Sequence, residues 1–510
     1  MSKYQEISGW IFRLLLITSI IEAVSFPQLE NIYGCFTFII VWILVKQYVF
    51  VDEKLKHCFL PTVIMFGLAF CFFFMPLIIT LIEGKPLTFR FQVPYSTFSF
   101  QLLNFVMLFS AYMLCIRTYN ENNLLKRIWE SLGYFEPPTN KQLWCMGIIG
   151  LLSTIIMLGI QGTEDAEVEN LGMTGHLLYF LRSYSSIPVL MMFPVMYGGK
   201  EKYNKTRIML YVLFVALLGV ATTRRSMMFG VFAIIVTVYL IKNFLYRDTI
   251  KISRKMAIGV VLGGYLITGP MADMAMAMIL NRYKVEGETA SNTFADIIDL
   301  YNDKERLHNT YLLMISDRDN YGDNNLGWSE YYVDNIFLDR FCNIRVCDAT
   351  IFYAQKLGYD NSDMHKYFSN QVLFLLPTPI LKFFGINVNK FELQYTPGDL
   401  MSTNALGLRT QYFGYRVAGD VGIGLYLWGM SYFFIAFFLY YALFYFMSSL
   451  VKHSPGLVIP MPILGVLWSY FIYFNNSIGI IKIISYLLRS GWQLVGIYCL
   501  FFFLIRKIVK

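Results

Sequence analysis

Charged residues are scarce in this chain, and that scarcity decides its class. Of the 510 residues, 15% are Asp, Glu, Lys or Arg, whereas a soluble domain carries about 25%. The chain is 56% hydrophobic and its mean hydropathy is +0.50. These values exclude a soluble globular protein. They predict an all-α, polytopic integral membrane protein.

Metal-binding and redox motifs are also sparse. The chain has five histidines and eight cysteines, and none of the cysteines form a C-x-x-C pair, so no zinc site is indicated. Cys342 and Cys347 could bridge only if the helix carrying them breaks between them. The net charge of +8 is spread over many loops, so no nucleic-acid partner is expected.

Long apolar runs recur along the chain, and each is long enough to cross a bilayer. The first follows Glu6 with no cleavage signal after it, so we expect an anchor and not a removable signal peptide. The sequence predicts twelve spans: Trp10–Ser25, Tyr33–Phe50, Phe59–Ile82, Thr97–Ile116, Leu143–Ile160, Thr174–Tyr197, Ile208–Thr223, Ser226–Leu245, Met256–Ala272, Val421–Met447, Leu457–Phe474 and Ile483–Leu504.

The distribution of Lys and Arg predicts the orientation. Alternate short loops are rich in basic residues, as cytoplasmic loops are. Examples are Lys200, Lys202 and Lys205 in one such loop, whereas the loop containing Glu164 and Glu167 on the other side is acidic. An even number of spans with both termini cytoplasmic satisfies every loop.

One segment, Asp273–Asp420, contains no predicted span and lies on the outer side in this topology. It holds 13 Lys plus Arg against 19 Asp plus Glu, and a loop of this length is usually functional. We expect helices that cap the bundle, with Asp334–Leu357 as one amphipathic helix and 372–381 in the lipid interface. The predicted organisation is one integrated domain: spans 1–9 in 1–272, the outer loop in 273–420, and spans 10–12 in 421–510.

Charges near the outer ends of the predicted spans suggest a site. Arg224 and Arg225 separate two apolar runs, and Glu22, Arg182 and Arg489 also lie in the outer third of their spans. Intramembrane charges need partners or ligands. In one interpretation Glu22 pairs with an arginine and the other charges reach the headgroups. In the other, a polar cavity with surplus arginine binds a phosphate-bearing lipid.

Three elements together resemble the Wzy-type polymerases of O-antigen and capsular polysaccharide. The first is the arginine-bearing junction 221–226 between two spans. The second is the loop run Leu338-Asp339-Arg340-Phe341, followed by Arg345 and Asp348. The third is the glycine-rich return of the chain to the membrane over 412–424.

The resemblance implies a GT-C-like enzyme at the outer face of the bacterial inner membrane. Such an enzyme transfers a growing glycan from undecaprenyl pyrophosphate to the non-reducing end of a lipid-linked repeat. Its partners would be that lipid-linked oligosaccharide, membrane lipid and a chain-length regulator. Cations would stabilise the leaving pyrophosphate, and Asp348 or His365 would accept the hydroxyl proton. The predicted pyrophosphate-binding residues are Arg182, Arg224, Arg225, Arg340, Arg345, Arg409 and Arg416.

A metal-dependent mechanism is the less favoured alternative. Asp317 and Asp319 form a D-x-D pattern, but Tyr321 and Trp328 occupy positions where an EF-hand needs oxygen ligands. We interpret the pattern as a solvated turn. The sequence therefore predicts a metal-independent enzyme without a cofactor.

Two rival functions stay open and a third is excluded. An O-antigen ligase would use the same donor, but its His-x10-Gly pattern fails, since His308 leads to Asp319 and His365 to Leu376. A lipid-linked oligosaccharide flippase or transporter suits twelve helices but does not need the long outer loop, and repeated halves are not visible. A nucleotide-sugar synthase is excluded because the longest inner loop, Arg117–Gln142, is too small for a cytosolic catalytic domain.

Overall fold

The computed structural model describes residues 3–51, 57–161, 172–221, 225–246, 258, 262–266, 268–282, 290–322, 331–376, 378–386, 395–407, 416–453, 456–472 and 479–509. Within these residues the regular elements are helices, and the backbone bridge between Lys452 and Val458 belongs to no strand. The predicted all-α class is confirmed for this part of the chain.

The chain forms two compact units. Unit 1 comprises Met1–Asn123, Ile315–Ser449 and Ser469–Gln493. The helices lying wholly within it are α1 (Lys3–Ser25), α2 (Leu29–Leu44), α3 (Phe59–Phe73), α4 (Met75–Ile82), α5 (Pro94–Thr118), α15 (Ile344–Leu357), α16 (Ser362–Leu373), α17 (Thr378–Phe383), α18 (Pro397–Leu406), α19 (Asp420–Trp428), α20 (Tyr432–Ser449) and α22 (Ile480–Ser485).

Unit 2 comprises Leu124–Met314, Leu450–Trp468 and Leu494–Lys510. Its helices are α6 (Leu124–Ser131), α7 (Asn140–Gln161), α8 (Gly172–Arg182), α9 (Pro194–Tyr197), α10 (Lys205–Ala221), α11 (Arg225–Tyr246), α12 (Pro270–Arg282) and α13 (Ala290–Asn302). Three more begin in one unit and end in the other: α14 (Lys304–Gly322), α21 (Met461–Ile472) and α23 (Gly491–Ile508). The description as one integrated domain stays a prediction.

Eight helical stretches of the described residues are long and apolar enough to cross a membrane. They coincide with eight predicted spans, with small shifts at the ends: Glu6–Ser25, Leu29–Val49, Phe59–Ile82, Pro94–Thr118, Asn140–Met157, Met227–Tyr246, Asp420–Ser449 and Ile480–Ile508. The polytopic membrane character is therefore confirmed. The count of twelve and the GT-C likeness stay predictions.

The other four predicted spans have different outcomes. The apolar helices Leu177–Met192 and Met461–Ile472 are shorter than the predicted spans at those places. Predicted span 7 corresponds to α10, which has 17 residues. Predicted span 9, over 256–272, is described only in part, since 256–257, 259–261 and 267 lie outside the described residues.

The sixth predicted span is not one continuous α-helix. α8 ends at Arg182, and a 3-10 helix of 10 residues, Ser183–Met192, follows with Pro188 inside it. Proline lacks the N–H that an α-helix interior requires. The prediction of a regular helix was wrong here because this residue changes the helix type.

The regular elements in the described part of segment 273–420, which the sequence predicts to be outside, are helices, but they differ from the prediction in two places. The helix predicted to begin at Asp334 begins at Ile344, after a 3-10 turn at Leu338–Phe341. Asp317 and Asp319, which we interpreted as part of a turn, lie within the backbone of α14. Cys342 and Cys347 are both free and buried.

Aromatic and glycine contacts hold the membrane helices of unit 1 together. The Trp42 indole donates a hydrogen bond to the Phe73 carbonyl at 2.9 Å, and the hydroxyls of Thr62 and Tyr112 are 2.9 Å apart. Gly67 lies so close to Phe471 that a Cβ there would be 2.1 Å from its carbonyl oxygen. Close backbone approach of this kind is typical of membrane helices.

Candidate functional site

A polar cavity lies within unit 2. Its volume is about 210 Å³. One side carries the polar groups of Arg182, Ser183, Ser185 and Ser186, and the remaining lining residues are Val215, Met227, Gly230, Val231, Ile234 and Gly465. The Ser183 hydroxyl donates to the Phe180 carbonyl at 2.7 Å. A guanidinium beside serines suits an oxyanion, and the apolar wall suits the chain that carries it.

The polar side of this cavity depends on the change of helix type after Arg182. A Cβ at Gly150 would lie 2.4 Å from the Ser185 nitrogen, and one at Gly147 would lie 2.1 Å from Pro188 Cγ. These two glycines of α7 therefore let the 3-10 helix approach closely. The Tyr211 hydroxyl of α10 donates to the Ser185 carbonyl at 2.6 Å and fixes the segment from the other side.

Arg224 and Arg225, the pair between two predicted spans, come shortly before the cavity-lining Met227 in the sequence. Arg225 is the first residue of α11, whose residues Met227 and Gly230 line the cavity. Arg224 lies outside the described residues, and the structure describes only the backbone of Arg225. Arg182 also lies over the Tyr179 ring, with Cζ 4.9 Å from its centroid.

A second polar cluster, within unit 1, contains Arg345 and Asp348 of α15. Arg345 Nη1 is 3.1 Å from Asp348 Oδ2, and both side chains are buried, with 2% and 0% exposed. The Asp348 carboxylate also accepts from the backbone N–H of Gln92 at 2.7 Å, from the N–H of Val93 at 3.0 Å, and from the Thr97 hydroxyl at 2.9 Å.

These contacts give Asp348 a structural role at the beginning of α5. A carboxylate placed there satisfies backbone N–H groups that have no partner within the helix. Burial raises the pKa of Asp348, while Arg345 and the hydrogen bonds act in the opposite direction. Both carboxylate oxygens are occupied, so a substrate proton would have to displace an existing bond. The geometry does not favour Asp348 as the base predicted from the sequence.

Arg416 and Arg345 both act electrostatically on Tyr353. Burial raises the pKa of Tyr353 to about 12, and the charges of Arg416 and Arg345 lower it. The Arg416 backbone is held on both sides: its N–H donates to Asp399 Oδ1 at 3.1 Å, and its carbonyl accepts from the Thr396 hydroxyl at 2.8 Å.

Thr396 and Asp399 also form the capping box that begins α18. Its reciprocal hydrogen bonds fix the start of the helix and, in this protein, the position of Arg416 as well. A Cβ at Gly398 would lie 2.6 Å from the Arg416 carbonyl oxygen, so glycine is required for this approach. Two of the predicted pyrophosphate-binding arginines are thus brought together, with Arg416 the more accessible.

Asp420, four residues after Arg416, is a functional candidate that the sequence reasoning did not select. It is the first residue of α19 and is 8% exposed. Its Oδ2 accepts from the Tyr440 hydroxyl at 3.4 Å, whereas its Oδ1 has no hydrogen-bond partner among the described residues. The Lys482 ammonium is close enough for its charge to act on the carboxylate.

The remaining predicted site residues are exposed or outside the described part. His365 Nε2 is 2.7 Å from Asp360 Oδ1 at the surface, with 42% and 70% of these side chains exposed. Arg340 is exposed on its 3-10 turn. Arg409 lies outside the described residues. Each stays a prediction.

Glu22 has a backbone partner among the described residues. Its Oε1 accepts from the Leu87 backbone N–H at 2.6 Å. Pairing of Glu22 with an arginine stays a prediction. Among the described residues, no three His, Cys, Asp or Glu side chains are grouped so as to hold a metal ion. Metal independence itself stays a prediction.

Comparison with protein-family models, with curated proteins and with solved structures gives no match for this chain.

Proposed function

We propose that this membrane protein is a polysaccharide polymerase. It would transfer a growing glycan from undecaprenyl pyrophosphate to the non-reducing end of a lipid-linked repeat at the outer face of a bacterial inner membrane. The observation that carries the proposal is the cavity of unit 2, because an arginine and three serines line it together with apolar residues in a membrane-embedded protein. A lipid-linked pyrophosphate combines the same two chemical properties.

In this proposal the arginines stabilise the leaving group. Arg182 would bind the donor pyrophosphate together with Arg225, the first residue of α11, and its sequence neighbour Arg224. Arg416, whose backbone is held by Thr396 and Asp399, stays a separately predicted pyrophosphate-binding residue of unit 1. Preorganised positive groups stabilise charge that develops on a leaving group, and arginine does this without a metal ion.

Purified protein supplied with a lipid-linked repeat tests the activity. We expect polymers of several lengths, also in the presence of EDTA. Complete inhibition by EDTA that Mn²⁺ or Mg²⁺ reverses would contradict the metal-independent mechanism and would return Asp317 and Asp319 to consideration.

Replacement of Arg182 or Arg225 by lysine tests the donor site. The charge is kept but the bidentate fork is lost, so polymerisation should fall by at least about tenfold, which corresponds to 1.4 kcal/mol. Arg506→Lys is the matched control, since Arg506 pairs with Glu136 elsewhere in unit 2. Full activity of both Arg182→Lys and Arg225→Lys would contradict this assignment.

Cells that lack the protein distinguish the rival functions. Loss of a polymerase leaves single repeats on the surface. Loss of a flippase leaves the surface without glycan, and loss of a ligase leaves long polymer on the lipid carrier.

A further inference from the structure

Helical glycines of unit 2 differ in what surrounds them. A Cβ at Gly147, Gly150 or Gly219 would lie 2.1, 2.4 or 2.6 Å from an atom of a neighbouring segment, so these positions serve close packing. A Cβ at Gly230 of α11 or at Gly465 of α21 would meet nothing within 4 Å, and both residues line the cavity of unit 2. Close approach therefore explains the first three glycines but not Gly230 and Gly465.

The two cavity-lining glycines keep open a space that a side chain would fill. Glycine inside a helix destabilises that helix relative to alanine. Neither position has a positive φ or a close neighbour that requires glycine. The open space belongs to the cavity, whose apolar lining includes Val215, Val231 and Ile234. We therefore interpret it as room for an apolar part of a ligand.

The size of the cavity limits which part of a lipid-linked sugar it can hold. An apolar cavity of about 150 Å³ holds benzene, a ring of six carbons, and the cavity of unit 2 has a volume of about 210 Å³. One five-carbon isoprene unit with part of the adjoining phosphate fits this volume, whereas a repeat of several sugar rings does not. Apolar walls also suit hydrocarbon better than sugar hydroxyls, which would lose their hydrogen bonds to water there.

The polar side of the cavity offers donors to a phosphate next to such a unit. The Ser183 hydroxyl is already bonded to the Phe180 carbonyl. Within the part of the chain that the structure describes, the hydroxyls of Ser185 and Ser186 make no hydrogen bond. Arg182 adds a positive charge on the same side, and hydrogen bonds between a guanidinium and a phosphate are among the stronger ones.

We propose that this cavity binds the first isoprene unit of an isoprenoid pyrophosphate, and that Gly230 and Gly465 determine its specificity for the carrier chain. This inference rests on the proposed function. Arg182, Ser185 and Ser186 bind the phosphate beside that unit, and the glycan stays outside the cavity. The site therefore recognises the lipid carrier at its phosphorylated end and is indifferent to which sugar the carrier bears.

Equilibrium binding of farnesyl diphosphate to the full-length protein in phosphatidylcholine nanodiscs tests this site. Farnesyl diphosphate carries the pyrophosphate and the first isoprene unit without any glycan. We expect the wild type to bind it. Gly230→Leu and Gly465→Leu should each bind it at least about tenfold more weakly, because the isoprene unit loses its buried position. Inorganic pyrophosphate, which has no chain, should bind weakly and to the same extent in all three proteins.

Two kinds of variant control for effects on folding. Gly496→Leu is the matched control, because Gly496 also lies in unit 2, a Cβ there also meets nothing within 4 Å, and the residue does not line the cavity. Gly230→Ala and Gly465→Ala should be at least as stable as the wild type, since alanine favours a helix. Their affinity for farnesyl diphosphate should lie between those of the wild type and the leucine variants.

Three binding results would overturn the inference. The first is unchanged affinity for farnesyl diphosphate in both leucine variants. The second is inorganic pyrophosphate that binds as tightly as farnesyl diphosphate, which would indicate a site for the head group alone. The third is displacement of farnesyl diphosphate by an equal concentration of phosphatidylglycerol, which would indicate a site for ordinary anionic lipid.

Polymerisation of a lipid-linked repeat separates this inference from the proposed function. A wild type that binds farnesyl diphosphate as expected but never extends the repeat would overturn the polymerase and keep the carrier site. A wild type that polymerises, matched in rate by both leucine variants, would overturn the carrier site alone.

Discussion

Two buried aspartates in unit 1 show how similar residues acquire different surroundings. Asp348 and Asp420 both act electrostatically on the Cys347 thiol, so they lie near one another. Asp348 is bound by Arg345, two backbone N–H groups and a hydroxyl. Asp420 receives one long hydrogen bond and keeps one oxygen without a partner among the described residues. Complete satisfaction indicates a structural role for Asp348, whereas the unsatisfied oxygen of Asp420 requires another explanation.

The largest expected effect is on stability at the satisfied aspartate. Asp348→Ala removes the carboxylate that pairs with the buried Arg345 and leaves the Gln92 and Val93 N–H groups without this acceptor. Breaking a buried ion pair in this way costs about 3–5 kcal/mol. Thermal unfolding in detergent should show a large loss for Asp348→Ala and a much smaller one for Asp420→Asn. Equal losses in the two variants would remove the distinction between them.

The next effect concerns the glycine between the two aspartates. Gly419→Ala would force Cys347 and the start of α19 apart, and overpacking of a close contact costs about 1–3 kcal/mol. We expect lower thermal stability. Gly496→Ala is the control because a Cβ there meets nothing within 4 Å. A Gly419→Ala variant as stable as the wild type would show that the two aspartates are positioned independently.

A smaller effect should depend on pH. Burial raises the pKa of Asp348 in the folded state above its ordinary value of 3.8. At pH values between the ordinary pKa and the raised pKa, the folded state therefore holds more protons than the unfolded state. Stability therefore falls as pH rises through this window. Asp348→Asn removes the titration, so the unfolding temperature of the wild type relative to this variant should fall with rising pH. A relative stability that grows with pH would contradict the assigned direction.

The smallest effect is expected at the exposed pair His365 and Asp360. Exposed ion pairs contribute about 0–1 kcal/mol, so His365→Asn should unfold within about 1 kcal/mol of the wild type. Its polymerisation rate tests the sequence prediction of His365 as the base. A large loss of polymerisation without a loss of stability would support that prediction.

The sequence predicted the long membrane helices because hydropathy over about twenty residues is a local property. Hydropathy did not reveal the break after Arg182, because it does not register that Pro188 lacks the N–H of a regular helix. It also could not separate the aspartates. The partners of Asp348 lie about 250 positions away in the chain, and Asp420 seemed only part of a glycine-rich turn. Residue type indicated candidate chemistry, whereas distant contacts satisfied both oxygens of Asp348 and left Asp420 Oδ1 without a partner among the described residues.

The 3-10 helix beside the cavity also changes the reach of its segment. A 3-10 helix rises about 2.0 Å per residue and an α-helix about 1.5 Å. The 10 residues Ser183–Met192 therefore extend about 20 Å, where an α-helix would extend about 15 Å. The gain is close to one α-helical turn. A short apolar segment can thereby come nearer to the hydrocarbon thickness of about 30 Å and still carry three serines and an arginine at one end.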